Sequence, residues 1–180
     1  MRLTLREIDQ GSWEECIRLR VAKHQVSFTP PNVYSLAESK FLPDRVPLGI
    51  YANDKMIGLL VCSFDPESGD AWIHRLMIDA DQQSKGYTRA PMKKIIRRLS
   101  RLEGCRRIGV KYPVKSNDWG RFYERFGFQA NGQRTEAGDV IAWLSTESEP
   151  TPADDDSGLI REESEQPADE EGDEEHRIEP

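Results

Sequence analysis

Apolar and polar residues alternate over residues 2–8, the period-two pattern of a strand with one buried face. Ser12 and Glu15 stand three apart just beyond it, a capping-box pair that predicts a helix running toward His24. Thr29-Pro30-Pro31-Asn32 breaks that helix, and Ser35 with Glu38 repeats the spacing for a short second one. A meander of three strands is predicted next, at 47–52, 56–64 and 71–78. Its turns are Asn53-Asp54 and Asp65-Pro66-Glu67-Ser68-Gly69-Asp70. Residues 86–101 place Met92, Ile95, Ile96 and Leu99 on one helical face. A strand at 107–112 and a helix at 117–126 follow, and Gly127 ends the helix because glycine tolerates a left-handed cap. Strands at 128–133 and 140–145 complete the pattern. The order β-α-α-β-β-β-α-β-α-β-β predicts an α/β (α+β) domain, a central mixed and mostly antiparallel sheet flanked by helices.

Beyond Ser145 the pattern collapses. Residues 147–180 hold 15 Asp/Glu against two Arg, a formal charge of −13, with several prolines and few apolar side chains. Such a segment buries too little surface to offset chain entropy and is expected to be disordered. Residues 1–146 hold 23 Lys/Arg against 17 Asp/Glu, a formal +6, so a mildly basic domain precedes a strongly acidic tail. The 180 residues suit one such domain, 1–146, with the tail at 147–180. Cys16, Cys62 and Cys105 lack metal-ligand spacing and read as reduced thiols of a cytoplasmic protein; no metal is expected. No signal peptide is discerned, and no apolar run approaches the roughly 20 residues that would span a bilayer, so no membrane partner is expected.

Chemistry concentrates in two places. Leu76-Met77-Ile78 ends an apolar strand and leads into Gln83-Ser84-Lys85-Gly86-Tyr87-Thr88-Arg89, a polar loop that opens a basic helix. Amides at a helix N-terminus lack internal partners and sit at the positive end of the helix dipole, so they attract phosphate. A glycine before a helix is more often a plain turn. The second place is Tyr123-Glu124-Arg125-Phe126-Gly127-Phe128, where Gly127 reads as a cap, Phe128 as core, and Tyr123 as core aromatic or functional hydroxyl. Lys93, Lys94, Arg97, Arg98 and Arg101 form a basic run, most simply a solvated face. A nucleic-acid partner is not expected, since the aromatic interleaving of a single-strand reader is missing.

Gln83 and Gly86 match the pyrophosphate loop Gln/Arg-x-x-Gly-x-Gly/Ala of the GNAT superfamily, and Tyr123 to Phe128 matches its Tyr-x-x-x-Gly-Phe. The chain therefore resembles a GNAT N-acetyltransferase. Val21, Gln25, Ser27-Phe28, Asn32, Tyr34-Ser35-Leu36-Ala37-Glu38, Gly49-Ile50-Tyr51 and Trp72 to Asp79 narrow the likeness to bacterial spermine/spermidine (diamine) acetyltransferases, over about residues 3 to 145. There are departures. Thr88 stands at the last Gly/Ala position and Pro91 removes an amide from the first helical turn, two departures that bear on the strength of coenzyme A binding in either direction. The family's Asn-x-x-Ala start falls on Ser116 and Trp119, or one residue later on Asn117 and Gly120; one residue is about 100° of helix, so both registers cannot serve one role. Either side chain can cap the helix.

The resemblance implies the GNAT fold, with acetyl-CoA as cosubstrate wedged between two splayed strands. It places Leu76, Met77, Ile78, Gln83 to Arg89, Ser116 and Asn117 against the cofactor. It places Tyr34, Glu38, Trp72 and His74 toward the acceptor. Tyr123 would protonate the departing thiolate, the Met77 region would supply an oxyanion donor, and His74 would act as base, where many relatives hold glutamate. An alkylammonium of pKa about 10.4 is neutral on the order of one time in a thousand near pH 7, so a base has work to do. The half-buried strand histidine is the bland alternative. The acceptor implied is a small polyamine or diamine. Lys23, His24 and His74 replace acidic positions of the relatives, so weak polyamine use is expected. A protein or aminoacyl-tRNA amine, and a non-catalytic GNAT-fold binder, are the alternative functions. A homodimer is compatible with the pattern, and the sequence names no partner for the tail.

Overall fold

The computed structural model describes residues 2–26, 29–114 and 117–146. The expected tail at 147–180 and the residues Ser27, Phe28 and Ser116 lie outside the described residues, as does the side chain of Asn117.

Strands β1 (Leu3–Glu7), β2 (Val46–Ala52), β3 (Lys55–Asp65) and β4 (Asp70–Ile78) form an antiparallel meander. Then come β5 (Arg107–Tyr112), β6 (Gln129–Arg134) and β7 (Val140–Ser145), giving one seven-stranded sheet ordered β1-β2-β3-β4-β5-β7-β6. Among the described residues, only the β4–β5 pair is parallel. Among the same residues, four α-helices accompany the sheet: α1 (Trp13–Arg18), α2 (Asn32–Phe41), α3 (Arg89–Leu99) and α4 (Asn117–Glu124).

The sheet buries both faces. On one, Leu48, Ile50, Ile57, Leu60, Ile73, Ile108 and Val110 pack with Met92, Ile95 and Leu99 of α3 and Tyr123 of α4. On the other, Tyr51, Met56, Leu59, Val61 and Met77 pack with Cys16 of α1 and, at the margin, Leu36 of α2. Strand β3 sits under both layers, which is why Met56 to Ser63 are all buried and read as a near-continuous apolar run. Each fully buried aliphatic side chain contributes about 1.5–3 kcal/mol, so α3 is held by its apolar stripe more than by intrinsic propensity.

Two expectations about the helices fail. Neither capping box forms. The Ser12 hydroxyl accepts from the Asp9 amide at 2.9 Å and donates to the Asp9 carboxylate at 2.7 Å, while Glu15 accepts the Met56 amide of β3 at 3.0 Å. Helix α1 also stops at Arg18 instead of running to His24. The Asp79 carboxylate accepts the Arg20 amide at 2.8 Å, and the Ala80 amide donates to the Arg20 carbonyl at 2.7 Å. These bonds draw the chain out alongside the end of β4, and tertiary pairing overrides helix propensity. Helix α2 begins at Asn32, with Pro31 in the capping position, so Ser35 lies inside it and is buried. Pro31 supplies the extended entry that a proline favours.

Candidate active site

Strands β4 and β5 pair only from Asp70–Arg107 to Ile73–Val110. Past that point β4 continues to Ile78 against β3, and β5 continues to Tyr112 against β7. His74 to Ile78 therefore face a gap where a ladder would otherwise run.

Two cavities open at this gap and share Thr29, Leu76 and Trp119. The loop cavity, about 220 Å³, is lined by Leu76, Met77, Ile78, Gln83, Ser84, Tyr87 and Thr88, with Val21 and Gln25 opposite. Ser84 (φ 61°) and Gly86 (φ 74°) both adopt the left-handed region, so the loop turns tightly before α3 begins at Arg89. A Cβ at Gly86 would meet nothing within 4 Å, so its backbone conformation, not crowding within the protein, calls for glycine. Among the described residues, the amides of 84–88 have no acceptor within the protein. Thr88 occupies the α3 N-cap without a side-chain capping bond, and Pro91 is buried in the first turn. Gln83 works inward: its amide donates to the Ile78 carbonyl at 2.9 Å and to Gln25 Oε1 at 2.7 Å, tying the loop to the end of β4. Lys85 donates to Gln82 Oε1 at 3.1 Å, and it, Gly86 and the first α3 residue Arg89 are off the cavity lining.

The charged cavity, about 330 Å³, is built from side chains. His74, Arg75 and Leu76 of β4 meet Tyr34, Ser35 and Glu38 of α2, Lys111 and Tyr112 of β5, Trp119 and Tyr123 of α4, and Arg45 and Asp139 from loops. His74 Nε2 lies 2.7 Å from Ser63 Oγ. Burial lowers the His74 pKa to about 4, helped by the nearby charges of Arg45 and Lys111 and opposed by Asp44. The ring is therefore neutral at pH 7. Tyr123 is 7% exposed and packs against Tyr112, Trp119, Phe122 and Phe128. Burial, and secondarily the Tyr112 phenol, pushes its hydroxyl up to about 12, so it holds its proton at neutral pH. Glu38 is paired with Arg45 at 2.7 Å. The Arg75 guanidinium donates to the carbonyls of Pro30 and Pro31 and to the Ser35 hydroxyl, and its Nε has no partner.

Gln83 and Tyr123, one from each sequence motif, thus line adjoining cavities at one gap, while Gly86, Gly127 and Phe128 line neither. Trp72 does not join them. It lines neither cavity and packs edge-on to Trp143 with ring centroids 4.5 Å apart, over Gly109, where a Cβ would come within 2.7 Å of its ring. Trp72 and His74 are two apart on one strand and their rings stack with centroids 6.4 Å apart, so Trp72 backs the histidine without lining the cavity. Lys23 and His24 are exposed on a 3-10 turn and line neither cavity. Sequence reasoning missed Arg45, Lys111 and Asp139. Lys111 had one weak signal, a charge on the strand at 107–112, while Arg45 and Asp139 stand in loops that carry no periodicity.

The acetyltransferase (GNAT) family model matches residues 13–128, well over half the chain. The chain belongs to that family. Among curated relatives, this GNAT chain is 27% identical to the spermine/spermidine N(1)-acetyltransferase of Bacillus subtilis (strain 168) over 139 residues, 74% of this chain and 91% of that protein. Among solved structures, it superposes on spermidine N-acetyltransferase from Vibrio cholerae in complex with CoA and spermine, with TM-score 0.66, 17% identity, and coverage of 80% of this chain and 95% of that one. It also superposes on PaiA N-acetyltransferase from Thermoplasma acidophilum in complex with coenzyme A, with TM-score 0.59, 14% identity, and coverage of 81% and 99%. At these identities the structural likeness establishes the fold. The seven-stranded GNAT sheet flanked by helices is as the sequence predicted. Among the described residues, no helix is long and apolar enough to cross a membrane.

Proposed function

We propose that this GNAT chain transfers acetyl from acetyl-CoA to the primary amine of a small molecule, the polyamines named for its relatives being the first acceptors to test. The observation that carries this reading is the β4–β5 gap, with unpartnered loop amides on one side and a protonated tyrosine on the other. The loop amides at 84–88 and the α3 N-terminus suit a pyrophosphate, because free N–H groups and the helix dipole both favour an anion. Acetyl-CoA supplies the activated acyl group. A C–N bond forms, the C–S bond breaks, the amine loses a proton and the leaving sulfur takes one up. In this reading Tyr123 faces the leaving sulfur. With its pKa near 12 it sits above an ordinary thiol at about 8.5, so its contribution is a hydrogen bond to the departing thiolate more than complete proton transfer. His74, with its pKa near 4, is too weak a base to strip an alkylammonium directly; it suits orienting water or a neutral amine. The amide near Met77 is the proposed oxyanion donor. Thiol release from acetyl-CoA across a panel of amines, with calorimetric acetyl-CoA binding, is the test. Absence of binding together with absence of turnover overturns the reading.

A further inference from the structure

We infer that the charged cavity selects a primary amine that also bears a carboxylate, an amino acid or ω-amino carboxylate, over a diamine or polyamine of matched length. This rests on the acetyltransferase reading and names the acceptor class for the same site.

The argument is a charge inventory. Three cations line the cavity, Arg45, Arg75 and Lys111, against two carboxylates, Glu38 and Asp139. Glu38 is already committed to Arg45 at 2.7 Å. Arg75 spends its donors on neutral oxygens, the Pro30 and Pro31 carbonyls and the Ser35 hydroxyl, and its buried Nε has no acceptor. Lys111 is exposed at the cavity and, among the described residues, has no ion pair. Glu38 reaches Arg75 only through space, so Asp139 and that shared carboxylate stand against two cations that have no ion pair of their own. A half-buried cation satisfied only by neutral groups favours an arriving anion, since charge-assisted bonds to carboxylate are the strong ones. The second ammonium of a diamine would instead meet like charge, which discriminates against wrong partners. The depressed pKa of His74, to which Arg45 and Lys111 contribute after burial, registers the same positive potential inside the cavity. That potential also lowers the pKa of the reacting amine, which raises its neutral fraction. The positive character comes from Arg45, Arg75 and Lys111, not from Lys23 and His24, which lie elsewhere.

The test uses the full chain and thiol release from acetyl-CoA. β-Alanine is compared with trimethylenediamine and propylamine, γ-aminobutyrate with putrescine and butylamine, and a set of α-amino acids with spermidine. The carboxylate-bearing acceptors should exceed their matched diamines in kcat/KM by about tenfold or more. Lys111→Glu, at an exposed position, should cut that ratio by about tenfold or reverse it, with calorimetric acetyl-CoA affinity unchanged. Diamines equal to or better than the carboxylates in the wild type would overturn the inference. So would a Lys111→Glu ratio equal to wild type. Acetyl-CoA binding without acetylation of any small amine also overturns it while leaving the acetyltransferase reading standing. Loss of acetyl-CoA binding itself would remove that reading instead, and calorimetry reports this independently of any acceptor.

Discussion

The loop cavity and the charged cavity share Leu76 and Trp119 yet are made of different material. One is centred on a loop, with consecutive amides, two left-handed residues and a helix start within residues 83–89, closed by the end of β4 and by Val21, Gln25, Thr29 and Trp119. The other is drawn from α2, β3, β4, β5, α4 and four loop stretches spread between residues 29 and 139. A backbone site depends on where the chain turns, so it tolerates most side chains and keeps one anionic ligand class. A side-chain site can change its ligand by exchanging single charges while the sheet beneath it stays the same. In the proposed function this would place cosubstrate recognition and acceptor choice under separate control.

The hardest test of that separation is Tyr123→Phe. The hydroxyl faces the charged cavity and, in the proposed role, a thiolate that exists only as the C–S bond breaks. Turnover should fall by roughly 10²–10⁴ while acetyl-CoA affinity stays nearly constant, because phenylalanine keeps the ring packing against Tyr112, Trp119 and Phe128. Thiol-release kinetics and calorimetry measure the two halves. Unchanged turnover would return Tyr123 to core packing. A parallel loss of binding would show that the two cavities do not act separately.

The same contrast explains what the sequence made legible. The loop cavity could be located because the loop at its centre is contiguous and its turn into a helix leaves a local mark at Gln83 and Gly86, although Val21, Gln25 and Trp119 opposite it left none. The order of elements along the chain followed from alternating strands and from the amphipathic stripe of α3, while the order of strands within the sheet is a finding of the structure. The charged cavity left no such mark. Arg45 and Asp139 are 94 residues apart by their numbering and meet only after β5 and β7 pair beyond the gap. Trp72 stacks on His74 yet lines neither cavity, because Trp143 holds its ring over Gly109, a packing between strands that no local pattern announces. The capping boxes failed because Glu15 found a better partner in the Met56 amide and Ser35 one in Arg75.

His74 gives the next largest effect, and it is read in stability. Its folded pKa, about 4, lies below the ordinary 6.5 because burial and the neighbouring cations disfavour the charged ring. The unfolded chain therefore binds the extra proton first as pH falls. Stability linked to His74 is complete above about 6.5 and is lost as pH drops toward 4, by about 3 kcal/mol in all. His74→Gln has no such titration and can keep a hydrogen bond to Ser63. Urea unfolding at pH 7 and pH 4 should show the wild type losing that much more than the variant. Equal losses would mean that His74 titrates as an open, hydrated imidazole, and the charged cavity would not be positive at that point.

Gly86→Ala moves the test to the backbone side. With φ at 74°, alanine strains the loop by about 1–2 kcal/mol, although its methyl meets nothing. The loop can escape by shifting its amides, so the expected result is a small drop in Tm and about a tenfold loss of acetyl-CoA affinity, with acceptor preference unchanged. Calorimetry and matched-acceptor rates measure both. An altered acceptor preference would tie the two cavities together.

Thr88→Gly is the smallest expected effect and the most discriminating within the loop. Thr88 lines the loop cavity at the α3 N-cap, where its hydroxyl makes no capping bond. Its φ of −87° and ψ of −34° need no glycine, so the substitution gains nothing in the folded backbone and adds unfolded-state freedom. Stability should fall by about 0.5–1 kcal/mol, readable as a small decrease in Tm without ligand. Binding should move the other way. Removing the side chain clears space beside amides that suit a pyrophosphate, and acetyl-CoA should bind a few times more tightly despite the weaker fold. Thr88→Ser separates volume from chemistry, since it keeps the hydroxyl and removes only a methyl group. If serine matches wild type and glycine binds more weakly, the hydroxyl is itself a ligand to the phosphate, and the threonine complements the backbone amides instead of crowding them.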